Sequence, residues 1–295
     1  MKDVEMPSGK GAGDENFPVG SRLLSAALRP DVMAFYRFVR AADDVADHSE
    51  LSGEEKRTRL DLFERALRGD RHAMARVPTA GALRASLARR GVSERHALDL
   101  LKAFKQDAVK RRYRDWQDLL DYCSLSASPV GRYLLDLHGE NQALYRFSDP
   151  LCDVLQILNH LQDCRDDFRS LDRVYLPLDG FAAAGIEVGE LDRPAASPAV
   201  RSILDHALDG ADRLLQRAAD LPRMLASRRL AAESAVILEV ARRLSAMLRR
   251  HDPLAIRVTL SKPGFLLTAV LGIGRLQWLR RGGAGAFSSR SGATP

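Results

Sequence analysis

At 295 residues, 45% of them hydrophobic and 28% charged, the chain can bury a sizeable core and reads as neither a disordered nor a membrane-spanning protein. A formal net charge of +6 points to an anionic partner, whether nucleic acid, lipid surface or phosphorylated substrate. The arginines are scattered over helical stretches with no basic arm interleaved with aromatics, so no nucleic acid is expected.

Residues 1–13 read as a flexible N-terminus, 14–281 as one all-α domain, and the Gly/Ser-rich 282–295 as a disordered tail. Apolar residues recur at helical intervals from Asp31 to Asp47, after a stop at Pro30, and Ser52 to Glu55 has the capping-box pattern that opens another helix. Further starts fall at Ser93, Asp115 and Asp149 or Pro150, giving long helices over 93–112, 115–138, 150–169, 197–221, 226–250 and 253–280, the last broken near Pro263. The stretch 170–196, richer in Pro and Gly, predicts the one long irregular connection. No alternating strand pattern is present, so the fold class is an α-helical bundle. Cys123, Cys152 and Cys164 lack metal-type spacing, and the first twenty residues hold no secretory signal, so a cytoplasmic protein with buried thiols is expected. Phe265 to Ile273 is too short an apolar run to cross a bilayer. The apolar C-terminal helix, ending in Arg275, Arg280 and Arg281, fits either core packing or peripheral contact with an anionic membrane at its inner face.

Two segments carry chemistry. In the first, Tyr36, Arg40, Asp43 and Asp47 fall on one helical stripe, so a hydroxyl, a guanidinium and two carboxylates share a face of an otherwise apolar helix. In the second, Gln156, Asn159, Asp163 and Asp167 return to within about 20° of one direction, again a single face. Like charges a turn apart need a cation, and hard Asn and Asp oxygens suit Mg²⁺ that keeps waters and takes its remaining ligands from a phosphorylated substrate. Facing each other across a bundle, the two segments would hold a diphosphate, with Arg40 adding a fixed positive charge and the apolar remainder shielding a carbocation. The competing reading makes each cluster an acidic helix end paired with surface arginines. His138 and His160 read as packed side chains, and Tyr122 with the kinked Ser124 to Gly131 stretch as a packing contact or a cavity wall.

On these motifs the chain resembles the squalene/phytoene synthase family of head-to-head isoprenoid synthases, from Phe17 to about Leu279. The resemblance implies an isoprenoid-synthase bundle with a central cavity. Asp43, Asp47, Asn159, Asp163 and Asp167 would bind Mg²⁺ and diphosphate, with Phe17, Tyr36, Arg40, Tyr122 and Gln156 lining the substrate site. Arg173 and Tyr175 lie in a segment similar to the one that closes over the phosphates in bacterial members. The family usually has Arg before the first Asp of the second motif. Gln162 stands there, which, with Glu15 to Val19 and Ala41 to Asp44, looks like the hydroxysqualene synthase branch of squalene and hopanoid biosynthesis. That branch implies presqualene diphosphate as substrate, no NADPH, and contact with other squalene-pathway enzymes. A condensing synthase acting on two prenyl diphosphates and a non-catalytic scaffold are the alternatives. Losing the Arg is expected to remove a phosphate-facing charge.

Overall fold

The computed structural model describes residues 4–5 and 23–287, with side chains through residue 280. α1 (Arg29–Asp47) carries Pro30 in its first turn, where the missing N–H costs nothing, so this proline opens the helix. α2 (Gly53–Leu67) starts with the expected capping box: Ser52 Oγ accepts the Glu55 N–H at 3.2 Å, and Glu55 accepts the Ser52 N–H at 2.9 Å. Short α3 (Arg71–Met74) leads to α4 (Pro78–Arg90) and α5 (Arg95–Asp107). Asp115 caps α6 (Trp116–Ser126), and after a break at Ala127 comes α7 (Ser128–Leu137). α8 (Tyr145–Gln162) and α9 (Cys164–Leu171) follow, then α10 (Leu178–Ala184), α11 (Pro198–Ala218), α12 (Leu221–Met224), α13 (Arg228–Arg250) and α14 (Lys262–Phe287).

The bundle is built around α8, which packs against α6, α7, α11 and α13, while α14 lies along α13. The first half of α8 meets α7 closely: a Cβ on Gly131 would stand 2.4 Å from Ser148 Oγ and 2.6 Å from Cys152 Sγ. α1 is anchored at its start. Asp31, 1% exposed, accepts hydrogen bonds from Ser86 (2.7 Å), Arg89 (2.5 Å) and Arg90 (2.7 Å) on α4. Burial works to raise its pKa, yet these partners hold the carboxyl below its ordinary range. The Tyr133 hydroxyl donates to the Asp31 carbonyl at 2.9 Å and its ring stacks on Phe35 at 3.9 Å, tying α1 to α7 as well.

Several expected boundaries move. The span 93–112 is helical only over α5, and 115–138 divides at Ala127, where φ −124° and ψ −53° leave the helical region ahead of Pro129. α8 starts at Tyr145 and carries Pro150 inside, so neither Asp149 nor Pro150 is its start. The span 150–169 breaks at Asp163 (φ −105°, ψ 9°). The span 253–280 is non-helical before Lys262, 197–221 ends with α11 at Ala218, and 170–196 contains α10. At the chain ends, Glu5 accepts the Thr79 N–H at 2.9 Å and its hydroxyl at 2.6 Å, and α14 runs past residue 281. Among the described residues the sole β-type pairing is an isolated parallel bridge, Arg112 with Val174.

α14 approaches α13 through Gly272, where a Cβ would lie 2.7 Å from the Ala235 carbonyl oxygen, whereas Gly274 has nothing within 4 Å. Gly272→Ala should lower Tm, since overpacking costs about 1–3 kcal/mol against a helix preference for alanine of up to about 1 kcal/mol. Gly274→Ala should leave Tm equal or higher, as thermal melts of the two variants would show.

Candidate active site

Three helices end on aspartates at one place. Asp47 is the last residue of α1, Asp107 the last of α5, and Asp163 caps α8. The C-terminal end of a helix carries partial negative charge, so Asp47 and Asp107 sit where their charge is least welcome, while Asp163 also opens α9, whose N-terminus offsets that cost. Asp47 lies near enough to push up the pKa of Asp43, Asp107 and Asp167, which places the two sequence motifs face to face. Burial, then the charge of Asp47, drives the Asp43 carboxyl up to about 8 against the pull of Arg40. Asp107 rises to about 7, chiefly through burial. Asp167 rises to about 7 through burial and then the charges of Asp163 and Asp47.

The break at Asp163 leaves the second motif in register. Asp163 N–H still bonds the Asn159 carbonyl at 3.0 Å, and Asp167 N–H bonds the Asp163 carbonyl at 2.8 Å. The segment after α9 returns beside the 111–114 stretch: Val174 N–H bonds the Arg111 carbonyl at 2.9 Å and Leu178 N–H the Tyr113 carbonyl at 2.9 Å. This sets Arg173, 5% exposed, between motifs, with Nη1 donating to Asp47 Oδ1 at 2.9 Å and Nη2 to the Asp107 carbonyl at 3.3 Å. Tyr175 accepts from Arg173 at 3.3 Å and stacks on His160 with ring centroids 3.4 Å apart. Burial, aided by Arg173, lowers the His160 pKa to about 3, so this imidazole stays neutral and acts as packing, as expected, with Gln156 3.1 Å from its Nε2.

Of the other expected residues, Tyr36, Gln156 and Asn159 line an apolar chamber of about 310 Å³. On α1 the lining ends at Val39, one turn before Asp43, and on α8 at Asn159, one turn before Asp163. The carboxylates therefore form a mouth, and the chamber runs behind it to Ser148, about 16 Å along α8. Tyr122 stands apart from that lining, buried, donating to Asp107 at 2.9 Å. Phe17 lies outside the described residues. Arg40 pairs through its guanidinium with Asp43 and Asp44, both at 2.7 Å, which holds its charge beside the carboxylates of the first motif. One expectation is corrected. Gln162 does not face the phosphate region; it is 4% exposed and donates to the Val258 carbonyl at 2.5 Å.

Sequence spacing missed Asp107, Lys56 and Arg257. Arg257 approaches Asp163 at 3.4 Å from the non-helical stretch before α14, which Arg165 also ties down through the Leu254 carbonyl at 2.7 Å. Burial, then Arg173, lowers the Lys56 pKa while Asp47 and Asp107 oppose them, so this α2 lysine faces the same cluster. Asp107 Oδ1 is buried without a hydrogen-bond partner. All the donors are hard oxygens. Among the described residues, no group of three His, Cys, Asp or Glu side chains forms a metal cage. That set fits Mg²⁺, which takes one or two carboxylates and completes its shell with water and phosphate oxygens.

Aspartate-bearing helix ends one turn beyond an apolar chamber give this all-α bundle a site with one anionic end and one hydrocarbon-like end. The squalene/phytoene synthase family model matches residues 11–264, and the chain belongs to that family. It is 45% identical to a hydroxysqualene synthase from Rhodopseudomonas palustris over 90% of each chain, and 42% identical to one from Zymomonas mobilis, covering 94% of this chain and 93% of that one. Its fold is similar to the crystal structure of squalene synthase HpnC from Alicyclobacillus acidocaldarius, with TM-score 0.68, 30% identity, and 79% and 87% of the two chains covered.

The raised carboxyls fix the direction of a pH effect. Unfolded, they titrate near about 4; folded, Asp43, Asp107 and Asp167 keep protons up to about 7–8, so stability is lost as pH rises between those limits. In calorimetry without divalent ions, wild type should lose Tm relative to Asp43→Asn between pH 5 and 8.5. Mg²⁺ with pyrophosphate should close the gap, and parallel pH curves for the two proteins would contradict the assignment.

Proposed function

We propose that this chain is a hydroxysqualene synthase: it releases diphosphate from presqualene diphosphate, rearranges the resulting cation, and captures it with water. The observation that carries this reading is the succession along α1 and α8 from chamber-lining residues to aspartates one turn further on, in a chain alike nearly end to end to hydroxysqualene synthases. Asp43, Asp47, Asn159, Asp163 and Asp167 would hold Mg²⁺, which when bound neutralises the departing diphosphate. Arg173 bridges two of the helices at the mouth, and with Lys56 it supplies positive charge beside the carboxylates without a metal's mobility. Tyr36 and Gln156 meet the substrate just inside the mouth, and the apolar wall keeps stray water from the cation. Adding water to a carbocation changes no oxidation state overall, so the reaction as written takes no hydride and uses no NADPH.

No helix among the described residues is long and apolar enough to cross a membrane. The outer face of α14 nevertheless exposes Leu266 (67%), Val270 (61%) and Trp278 (73%), with Leu267 and Leu271 alongside and Arg275 at its edge. Such a face supports peripheral contact with an anionic bilayer, where substrate and product dissolve.

Purified protein with Mg²⁺ and presqualene diphosphate should yield a thirty-carbon alcohol by mass spectrometry without NADPH, and farnesyl diphosphate should be left unchanged. Asp43→Asn and Asp167→Asn should each slow diphosphate release by roughly a hundredfold or more, the scale for losing a preorganised charge partner. Condensation of farnesyl diphosphate would move the chain to the condensing synthases.

A further inference from the structure

Neighbouring residues at the end of α8 hold neighbouring residues of the stretch ahead of α14. Gln162 Nε2 donates to the Val258 carbonyl at 2.5 Å, and Asp163 Oδ1 pairs with Arg257 Nε at 3.4 Å. Arg165 Nη1 donates to the Leu254 carbonyl at 2.7 Å, and Asp252 accepts the Ala196 N–H at 2.7 Å. The backbone on both sides of Arg257 is therefore pinned, but its side chain is 62% exposed. It adjoins a cavity of about 190 Å³ lined by Gln162, Arg165, Asp166 and residues 253–257, which leaves the guanidinium room to move. At 3.4 Å its pairing with Asp163 is also longer than a charge-assisted hydrogen bond of about 2.7–2.9 Å. Arg173 differs on each count: it is buried and held by Asp47, the Asp107 carbonyl and Tyr175 together.

We propose that Arg257 is the resident counter-ion of Asp163, and that displacing it makes metal loading depend on diphosphate. This rests on the reading under which Asp163 holds Mg²⁺ and the metal carries diphosphate. Mg²⁺ arriving alone takes Asp163 from the guanidinium and then sits beside the positive charge it has displaced. Mg²⁺ arriving with diphosphate brings oxygens to which that guanidinium donates, and the planar fork of an arginine matches phosphate geometry. The exchange needs only side-chain rotation, because the flanking backbone stays tied through Gln162 and Arg165. Arg173, fixed by three partners, keeps its place throughout. By linkage, whatever diphosphate adds to metal affinity the metal adds to diphosphate affinity, so one arginine couples the two ligands. Once diphosphate departs, Arg257 returns to Asp163 and the hold on the metal weakens, which clears the mouth for the next substrate.

Calorimetric titration of the full chain, at fixed pH and ionic strength, gives two dissociation constants: for Mg²⁺ alone, and for inorganic pyrophosphate in excess Mg²⁺. In Arg257→Ala the Mg²⁺ constant should fall about twofold to fivefold, the range for removing an exposed ion pair that competes for the carboxylate. The pyrophosphate constant should rise on the order of tenfold, the scale of a lost hydrogen bond to a charged group. Arg257→Lys, which keeps the charge without the fork, should fall between wild type and Arg257→Ala on both. Opposite directions separate this role from a structural one, since a brace that only shapes the mouth would raise both constants together, or lower Tm and move neither. A Mg²⁺ constant that is unchanged or higher in Arg257→Ala overturns the proposal, and so does a pyrophosphate constant that does not rise. Should Arg257→Ala fail to melt cooperatively, Arg257→Gln decides by the same two constants. Wild type that binds no pyrophosphate even in excess Mg²⁺ defeats the reading beneath it, a result seen without any variant.

Discussion

Carboxylates at the C-terminal ends of α1, α5 and α8 meet at one mouth, where the dipoles of α1 and α5 add to their mutual repulsion and the N-terminus of α9 relieves part of it. A fold keeps such an arrangement only if the surrounding structure holds it and a cation answers it. The Asp31 knot pins the far end of α1, so the helix cannot slide to relieve Asp43 and Asp47. Arg173 spans Asp47 and the end of α5, and Arg257 comes to Asp163 from the stretch ahead of α14. These internal cations offset part of the repulsion. Burial first, and then the neighbouring carboxylates, still hold the pKa of Asp43, Asp107 and Asp167 above the ordinary carboxyl range.

Polarity falls off sharply behind that mouth. One turn before each aspartate motif, the same two helices turn to lining a chamber that is mostly apolar. The change happens along single helices, so the distance from phosphate site to hydrocarbon site is set by helical rise and not by loop positions. Close packing of α7 on α8 at Gly131 keeps that wall tight. An amphiphile entering head-outward would therefore meet rigid elements on both its polar and apolar parts, the arrangement that preorganises a reaction.

The first motif was fully legible because α1 is one unbroken helix, and period-four spacing reports directly on its face. The second was legible in spite of a break: the backbone bonds Asp163 to Asn159 and Asp167 to Asp163 preserve helical register through residues whose dihedrals depart from it. Asp107, Lys56 and Arg257 had no such signal, since none belongs to a spaced row of ligand-type residues in its own segment and each becomes part of the site only through tertiary contact. Position 162 misled for a related reason. A polar residue next to an aspartate motif suggests a phosphate neighbour, but a shift of one residue turns a helical side chain by about 100°, here toward Val258. Pro150 inside α8 shows tertiary packing overriding local propensity, whereas the break at Ala127 is the kink that the stretch around Pro129 announced.

The contacts that complete the mouth are distant in the chain: Arg173 reaches Asp47 across 126 residues and the Asp107 carbonyl across 66. Loop-closure entropy disfavours such pairings until the intervening helices have docked. The local contacts of α2 to α4 and of the α6–α7 pair can form early, while the mouth closes late. A growing or partly folded chain thus lacks the bridge that gathers its aspartates and has no ready place for a metal–diphosphate complex, so the capacity to generate a carbocation arises together with the walls that contain it.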